Sequence, residues 1–313
     1  MNHPAEKIDE LSEDLYPSRS GAQPRFIERL DPVIYSAPDS PDSPLPTEQL
    51  KHYREQGFLV LEDLFSAEEI AGYQREMADL RANPAVSRAE ETITEISSGD
   101  VRSIFRVHRF SALFARLAAD ERLVGIARHL LGDEVYIHQS RLNYKPGFRG
   151  KEFYWHSDFE TWHVEDGMPR MRALSMFITL TENHDCNGSL MLIPGSHQRY
   201  VVCSGQTPEN HFKTSLKKQE YGTPGDSCLA ELVDKGGIVT VTGKPGSVII
   251  FDCNLMHGSN SNITPYPRSN LFFVYNALSN QVGKPFCNQR PRPEYVCARK
   301  GIRPLRGDLC DGA

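Results

Sequence analysis

The sequence predicts a mainly β protein of the α+β class, a jelly-roll or β-sandwich core buttressed by N-terminal helices. Three observations predict it. Helical periodicity is confined to the first third of the chain. From Glu134 onward, short apolar runs separated by Gly, Pro and Asn turns take over. Strands and helices do not alternate as βαβ units require, and no internal repeat is found.

Residues 1–45 are rich in Pro, Ser, Asp and Glu, a composition that buries little apolar surface. They are expected to form an arm, partly flexible or draped on the body, with Phe26 to Leu30 as its docking patch. Residues 46–313 are expected to form a single domain. Thr47 is a candidate N-cap for a helix carrying Leu50 and Tyr53 and stopped by Gly57. Phe58 to Leu61 then reads as a buried strand. Ser66-Ala67-Glu68-Glu69 is a capping box opening a helix to about Ala82, ended by Asn83-Pro84. Helical spacing returns over Ser111–Ala119 and Glu121–Leu131, closed by Gly132.

The first strand of the second part is Val135 to Tyr144, with polar residues alternating at Gln139, Arg141 and Asn143. Arg172–Thr181, Ser189–Ile193, Gly237–Val241, Ser247–Phe251 and Asn270–Tyr275 follow as further strands. The long polar connection over residues 200–235 is expected to be a loop able to cover a site.

A length of 313 residues allows one large core or two small ones, and 39% hydrophobic with 24% charged residues is ordinary for a globular protein. The net charge of −6 argues against a nucleic-acid surface. No apolar run reaches the roughly 20 residues that span a bilayer. Met1 to Lys7 lacks the apolar core of a signal peptide. The seven cysteines (Cys186, Cys203, Cys228, Cys253, Cys287, Cys297 and Cys310) are scattered without a C-x-x-C pair. A cytoplasmic protein with reduced thiols is expected.

Chemistry concentrates in Phe153 to His163, which reads Phe-Tyr-Trp-His-Ser-Asp-Phe-Glu-Thr-Trp-His. Residues i and i+2 of a strand share a face, so His156 and Asp158 are expected side by side on one strand, or in the loop at its end. An imidazole and a carboxylate so placed supply two of the three ligands of a 2-His-1-carboxylate metal centre. His-x-Asp alone is common, and the chain has 11 histidines from which to draw the third ligand. His257 is favoured because an apolar strand, Gly246 to Phe251, runs out into the short turn that ends in His257-Gly258-Ser259. It lies 257 − 158 = 99 residues beyond Asp158. His184 and His197 sit in turns, where a histidine ordinarily bonds backbone, and His138 and His163 read as packing or supporting groups. Arg268, 268 − 257 = 11 residues past His257, offers a planar fork for a carboxylate at the head of the next strand, and Ser259 can add a hydroxyl.

This combination resembles the Fe(II)/2-oxoglutarate dioxygenases, and among them the phytanoyl-hydroxylase-like family. The matching features are His156-x-Asp158, His257, Arg268, and the run Gly188 to His197 with its Pro-Gly-Ser-His turn. The resemblance covers most of the chain, from Gly57 to Ala277. The unbroken string Phe153 to Pro169 is more specific and is similar to the signature of ectoine hydroxylases. Asp158 stands where related halogenases carry a small residue.

The resemblance implies a double-stranded β-helix (jelly-roll, cupin-like) core in a single dioxygenase domain. It implies Fe(II) held by His156, Asp158 and His257, and 2-oxoglutarate held by Arg268 and Ser259 with Asn143 and Phe153 lining the pocket. It points to the compatible solute ectoine as substrate, met by Gln139, Trp162 and Phe272. The implied reaction makes 5-hydroxyectoine, consuming O2 and releasing succinate and CO2, in a cytoplasmic homodimer. Two alternatives remain at this point: the same machinery acting on another small amino acid, such as proline or a lysine derivative, and a non-catalytic cupin-like metal-binding protein.

Overall fold

The computed structural model describes residues 14–37, 43–94, 99–215 and 221–306. The arm contributes β1 (Arg25–Glu28), a short strand that docks on the body. α1 (Thr47–Gln56) starts one residue earlier than an N-cap at Thr47 requires, because Pro46 takes the cap position. Gly57 ends it at φ 84°, and a Cβ there would meet the His197 ring at 2.5 Å, so both conformation and space demand glycine. β2 (Phe58–Leu61) follows, then α2 (Ala67–Ala82), opened by the expected capping box with Ser66 and Glu69 each bonding the other's backbone.

Asn83-Pro84 ends α2 at Ala82, as expected. Asn83 caps a further short helix, α3 (Pro84–Ser87), with proline at a position where its missing N–H is harmless. β3 (Thr92–Thr94), β4 (Val101–Phe105) and α4 (Val107–Phe110) come next. α5 (Ala112–Ala118) is capped by Ser111, and α6 (Glu121–Leu131) is closed by left-handed Gly132.

The second part holds β5 (Val135–Lys145), β6 (Phe153–His156), α7 (Asp158–Asp166), β7 (Ala173–Thr179), β8 (Leu190–Leu192), β9 (Arg199–Val202), α8 (Phe212–Ser215), α9 (Asp226–Gly236), β10 (Val239–Val241), β11 (Val248–Asp252), β12 (His257–Ser259) and β13 (Arg268–Ala277). A seven-stranded antiparallel sheet runs β2-β11-β7-β13-β5-β4-β3, and a four-stranded one runs β10-β8-β12-β6. This is the cupin-like jelly roll, with helices on one side of the larger sheet. The connection over 200–235 is more structured than its polarity suggests. β9 pairs with β1, and α9 buries Cys228 and Leu232 among Ile193, Val201 and Met256. No helix among the described residues is long and apolar enough to cross a membrane.

The larger sheet is covered on both faces, which explains its near-continuous apolar strands. Leu271, Phe273 and Tyr275 of β13 join the core beneath the helices with Ile70, Leu123 and Leu130. Phe272, one residue out of phase, points into the roll with Phe177, Leu190, Ile249 and Phe251. Phe177 is fully buried there, its ring 5.1 Å from Phe272 and 6.4 Å from Phe251. Phe177→Ala is expected to lower unfolding free energy by about 3–5 kcal/mol, measured by urea denaturation, with Phe177→Leu losing much less.

Candidate active site

The interior of the roll gathers the chemistry. β6 ends at His156, Ser157 occupies the N-cap, and Asp158 opens α7. Of the two placements expected for His156 and Asp158, the shared strand face is not the one found: the pair lies at the strand's end, straddling it and a helix start. His257 is the direct antiparallel partner of His156 in the register of β12 and β6. The two rings lie 4.1 Å apart by centroid. Their Nε2 atoms are 3.8 Å (His156) and 3.9 Å (His257) from Asp158 Oδ1.

Supporting hydrogen bonds aim all three side chains at a common point. A carbonyl can only accept, so Nδ1 of His156 donates to Tyr154 O at 2.8 Å and Nδ1 of His257 donates to Leu255 O at 3.0 Å. Each Nε2 is left with its lone pair facing the other two groups, as metal ligation requires. Burial, with His257 adding to it, pushes the His156 pKa down to about 3, so the ring is neutral at neutral pH. Ser175 Oγ on β7 donates to Asp158 Oδ2 at 3.0 Å and leaves Oδ1 for the centre. Two imidazole nitrogens and one carboxylate oxygen on a single side form a donor set suited to Fe(II) with open positions.

The cavity beside this centre is lined by Phe153, Asn143, Lys145, Ser259, Arg268 and Phe272, with Arg141 between. Phe153 stacks edge-on to His156 at 4.9 Å. Arg268 begins β13 and is buried, and its Nε finds no hydrogen-bond partner. Burial, reinforced by neighbouring Arg141, pushes its pKa down to about 10. Lys145 Nζ donates to Ser259 Oγ at 2.8 Å, so the Ser259 hydroxyl proton remains available to a ligand. Arg141 lies 4.6 Å over the Phe272 ring, and its buried Nε is likewise unpartnered. Two desolvated guanidiniums opening on one cavity call for anions.

Gln139 and Trp162 are not among the residues lining this cavity. Gln139 Nε2 donates to Val296 O at 2.8 Å, and Trp162 packs edge-on to His138 at 5.2 Å. His138 occupies a bulge in β5, where Gln139 pairs with Val274 and Ile137 with Tyr275. With Asp166 and Cys297 it forms a second group of ligand-type atoms. Asp166 is, however, forked by the Arg292 guanidinium, so its charge is already matched within the protein and the group reads as part of an ion-paired network. His197 bonds Arg54 O and His163 bonds Met168 O, the packing roles expected of them.

Sequence reasoning missed Arg141, Lys145 and Ser175 as site residues. The first two carried a signal: they continue the inward alternation of Gln139 and Asn143 along β5. Ser175 carried none, being one small residue in an apolar strand.

Comparison with known proteins agrees with this geometry. The family model described as phytanoyl-CoA dioxygenase (PhyH) matches residues 53–270. The ectoine dioxygenase of Sphingopyxis alaskensis is 57% identical over 303 residues, covering 96% of this chain and 98% of that protein. The crystal structure of EctD from S. alaskensis with 2-oxoglutarate and 5-hydroxyectoine superposes with a TM-score of 0.86 at 54% identity, covering 94% of this chain and 98% of that one. The same protein with bound Fe gives a TM-score of 0.85 at 53% identity over the same shares, 94% and 98%. The chain belongs to the phytanoyl-CoA dioxygenase family, where it groups with the ectoine dioxygenases.

Proposed function

We propose that this protein is an Fe(II)- and 2-oxoglutarate-dependent dioxygenase that hydroxylates ectoine to 5-hydroxyectoine. The observation that carries the reading is the convergence of His156, Asp158 and His257 on one point, beside a cavity that both histidines share with Arg268, whose Nε has no partner. His156, Asp158 and His257 would hold Fe(II), and Arg268 with Ser259 would take the far carboxylate of 2-oxoglutarate beside Asn143 and Phe153. With both bound, the centre supplies the oxidising chemistry: O2 is consumed, succinate and CO2 leave, and one substrate C–H becomes C–OH.

The chain's own contribution is placement and exclusion. A dicarboxylic keto acid fits because one end meets the metal while the other meets a two-pronged cation. Arg141 supplies a second buried cation for the carboxylate of ectoine, and Phe272 presents an aromatic face to its delocalised amidinium. The family resemblance also assigns Gln139 and Trp162 to the substrate side, beyond the residues that line the cavity itself. The reading extends to a cytoplasmic homodimer: the dimer rests on the resemblance, and the compartment on scattered, unpaired cysteines.

Purified protein given Fe(II), 2-oxoglutarate and ectoine is expected to release succinate and 5-hydroxyectoine in equal amounts. Succinate without hydroxyectoine, or turnover of proline in preference to ectoine, would overturn the substrate, and absence of any iron binding would overturn the enzyme. Arg268→Ala removes one partner of a buried charge pair, worth about 2–5 kcal/mol. The KM for 2-oxoglutarate should rise at least about 30-fold, while Fe(II) binding persists. Ser175→Ala should weaken Fe(II) or Co(II) binding about 10- to 100-fold by freeing Asp158, read by anaerobic metal titration of protein with unchanged circular dichroism.

A further inference from the structure

The N-terminal arm has no part in the chemistry above, yet its side chains converge on the segments that carry the ligands. Arg19 lies in the left-handed region at φ 52° and is buried against α7. Its guanidinium forks onto both carboxylate oxygens of Glu160, with Nε to Oε1 at 3.0 Å, and Nη1 reaches Glu165. Ser18 Oγ donates to Glu160 Oε1 at 2.7 Å, and Asp14 accepts from His163 Nε2 at 2.8 Å. Tyr16 sits edge-on to Phe159 at 5.3 Å. All these partners lie on α7, the helix that opens with Asp158. A Cβ at Gly222 would fall 2.3 Å from Arg19 Nη2 and 2.4 Å from Glu160 Oε2, so the chain closes over the pair with a residue that has no side chain.

Further along the arm, Arg29 forks onto Asp252 at 2.8 and 2.9 Å. Asp252 Oδ1 accepts from Asn254 N at 2.8 Å, and Asn254 Oδ1 accepts from Ser157 Oγ at 3.0 Å. One arginine thus holds the helix behind Asp158, and the other holds the turn before His257 and its link to Ser157.

We infer that Arg19 and Arg29 are positioning residues for the His156–Asp158–His257 centre, which makes the arm part of the active-site frame. The inference rests on the reading that this centre holds iron. A buried ion pair gives little net stability relative to an apolar pair of similar volume, but its forked geometry fixes direction. Stability and positioning are therefore separable by experiment.

Arg19→Met/Glu160→Met replaces the fork by apolar contacts. The measurements are Tm, anaerobic Fe(II) affinity, KM for 2-oxoglutarate, kcat, and the ratio of succinate to hydroxylated product. A Tm close to the parent's is expected, with Fe(II) binding about tenfold weaker or worse, kcat reduced, KM for 2-oxoglutarate unchanged and succinate in excess. Parental Fe(II) affinity and kcat in this variant would overturn the inference. Should the double variant not fold, Gly222→Ala decides: it keeps every charge and pushes Arg19 off Glu160, and a folded form with parental metal affinity would refute the inference. A parent protein that takes up no metal overturns the iron reading and this inference together, whereas a metal-binding parent matched by its variants overturns this inference alone.

Discussion

Charge taken out of water has to be matched inside the protein, and this requirement orders the whole molecule. Arg19 meets Glu160 and Glu165, Arg29 meets Asp252, and Arg292 meets Asp166, each pair almost wholly shielded from solvent. These pairs tie the arm, α7 and the C-terminal segment into one body. Arg268 is buried and Arg141 half-buried, and the Nε atom of each is shielded from solvent without a hydrogen-bond partner. Arg81, Arg128 and Arg299 also carry an unpartnered Nε, but only Arg141 and Arg268 open on the cavity beside His156 and His257, where another molecule's anions can meet them.

Much of the fold was legible because it rests on local rules. The capping box at Ser66 and the stop at Gly132 read directly, since each depends on a few adjacent residues. The strands read as apolar runs because both faces of the larger sheet are covered. His-x-Asp within an aromatic run has the period of a strand, which left the strand face and the strand's end both open for Asp158, and it lies just past the end. The helix that begins there has almost every residue buried, and it takes its charge partners from distant segments that no local pattern reveals. The arm was underestimated for a related reason. Composition measures apolar area, while residues 14–37 dock largely through arginines and a fully buried Tyr16. The site residues were legible to the extent that chemistry restricts residue type. Histidine and aspartate announce themselves, Arg268 does so through its spacing from His257, and Arg141 and a supporting serine do not.

The centre is assembled from two kinds of element, and each fixes its ligand by a different physical means. His156 and His257 face one another because β6 and β12 pair antiparallel across a separation of 257 − 156 = 101 residues. A slip of one residue would turn His257 to the opposite face, so register is the critical quantity. β12 has only three residues, too few for its own ladder to guarantee that register. The turn before it supplies the missing constraint: Asn254 Nδ2 donates to His197 O and Arg199 O at 3.0 Å each, and Arg29 grips Asp252. Asp158 is fixed otherwise, at the first turn of a helix, where a carboxylate is favoured by the exposed N–H groups and the helix dipole. Its direction then depends on where the helix axis points, which the ion pairs of α7 determine. A short strand and a short helix can hold a metal centre to the needed tolerance only if their far ends are anchored, and in this chain the anchors are the buried arginines.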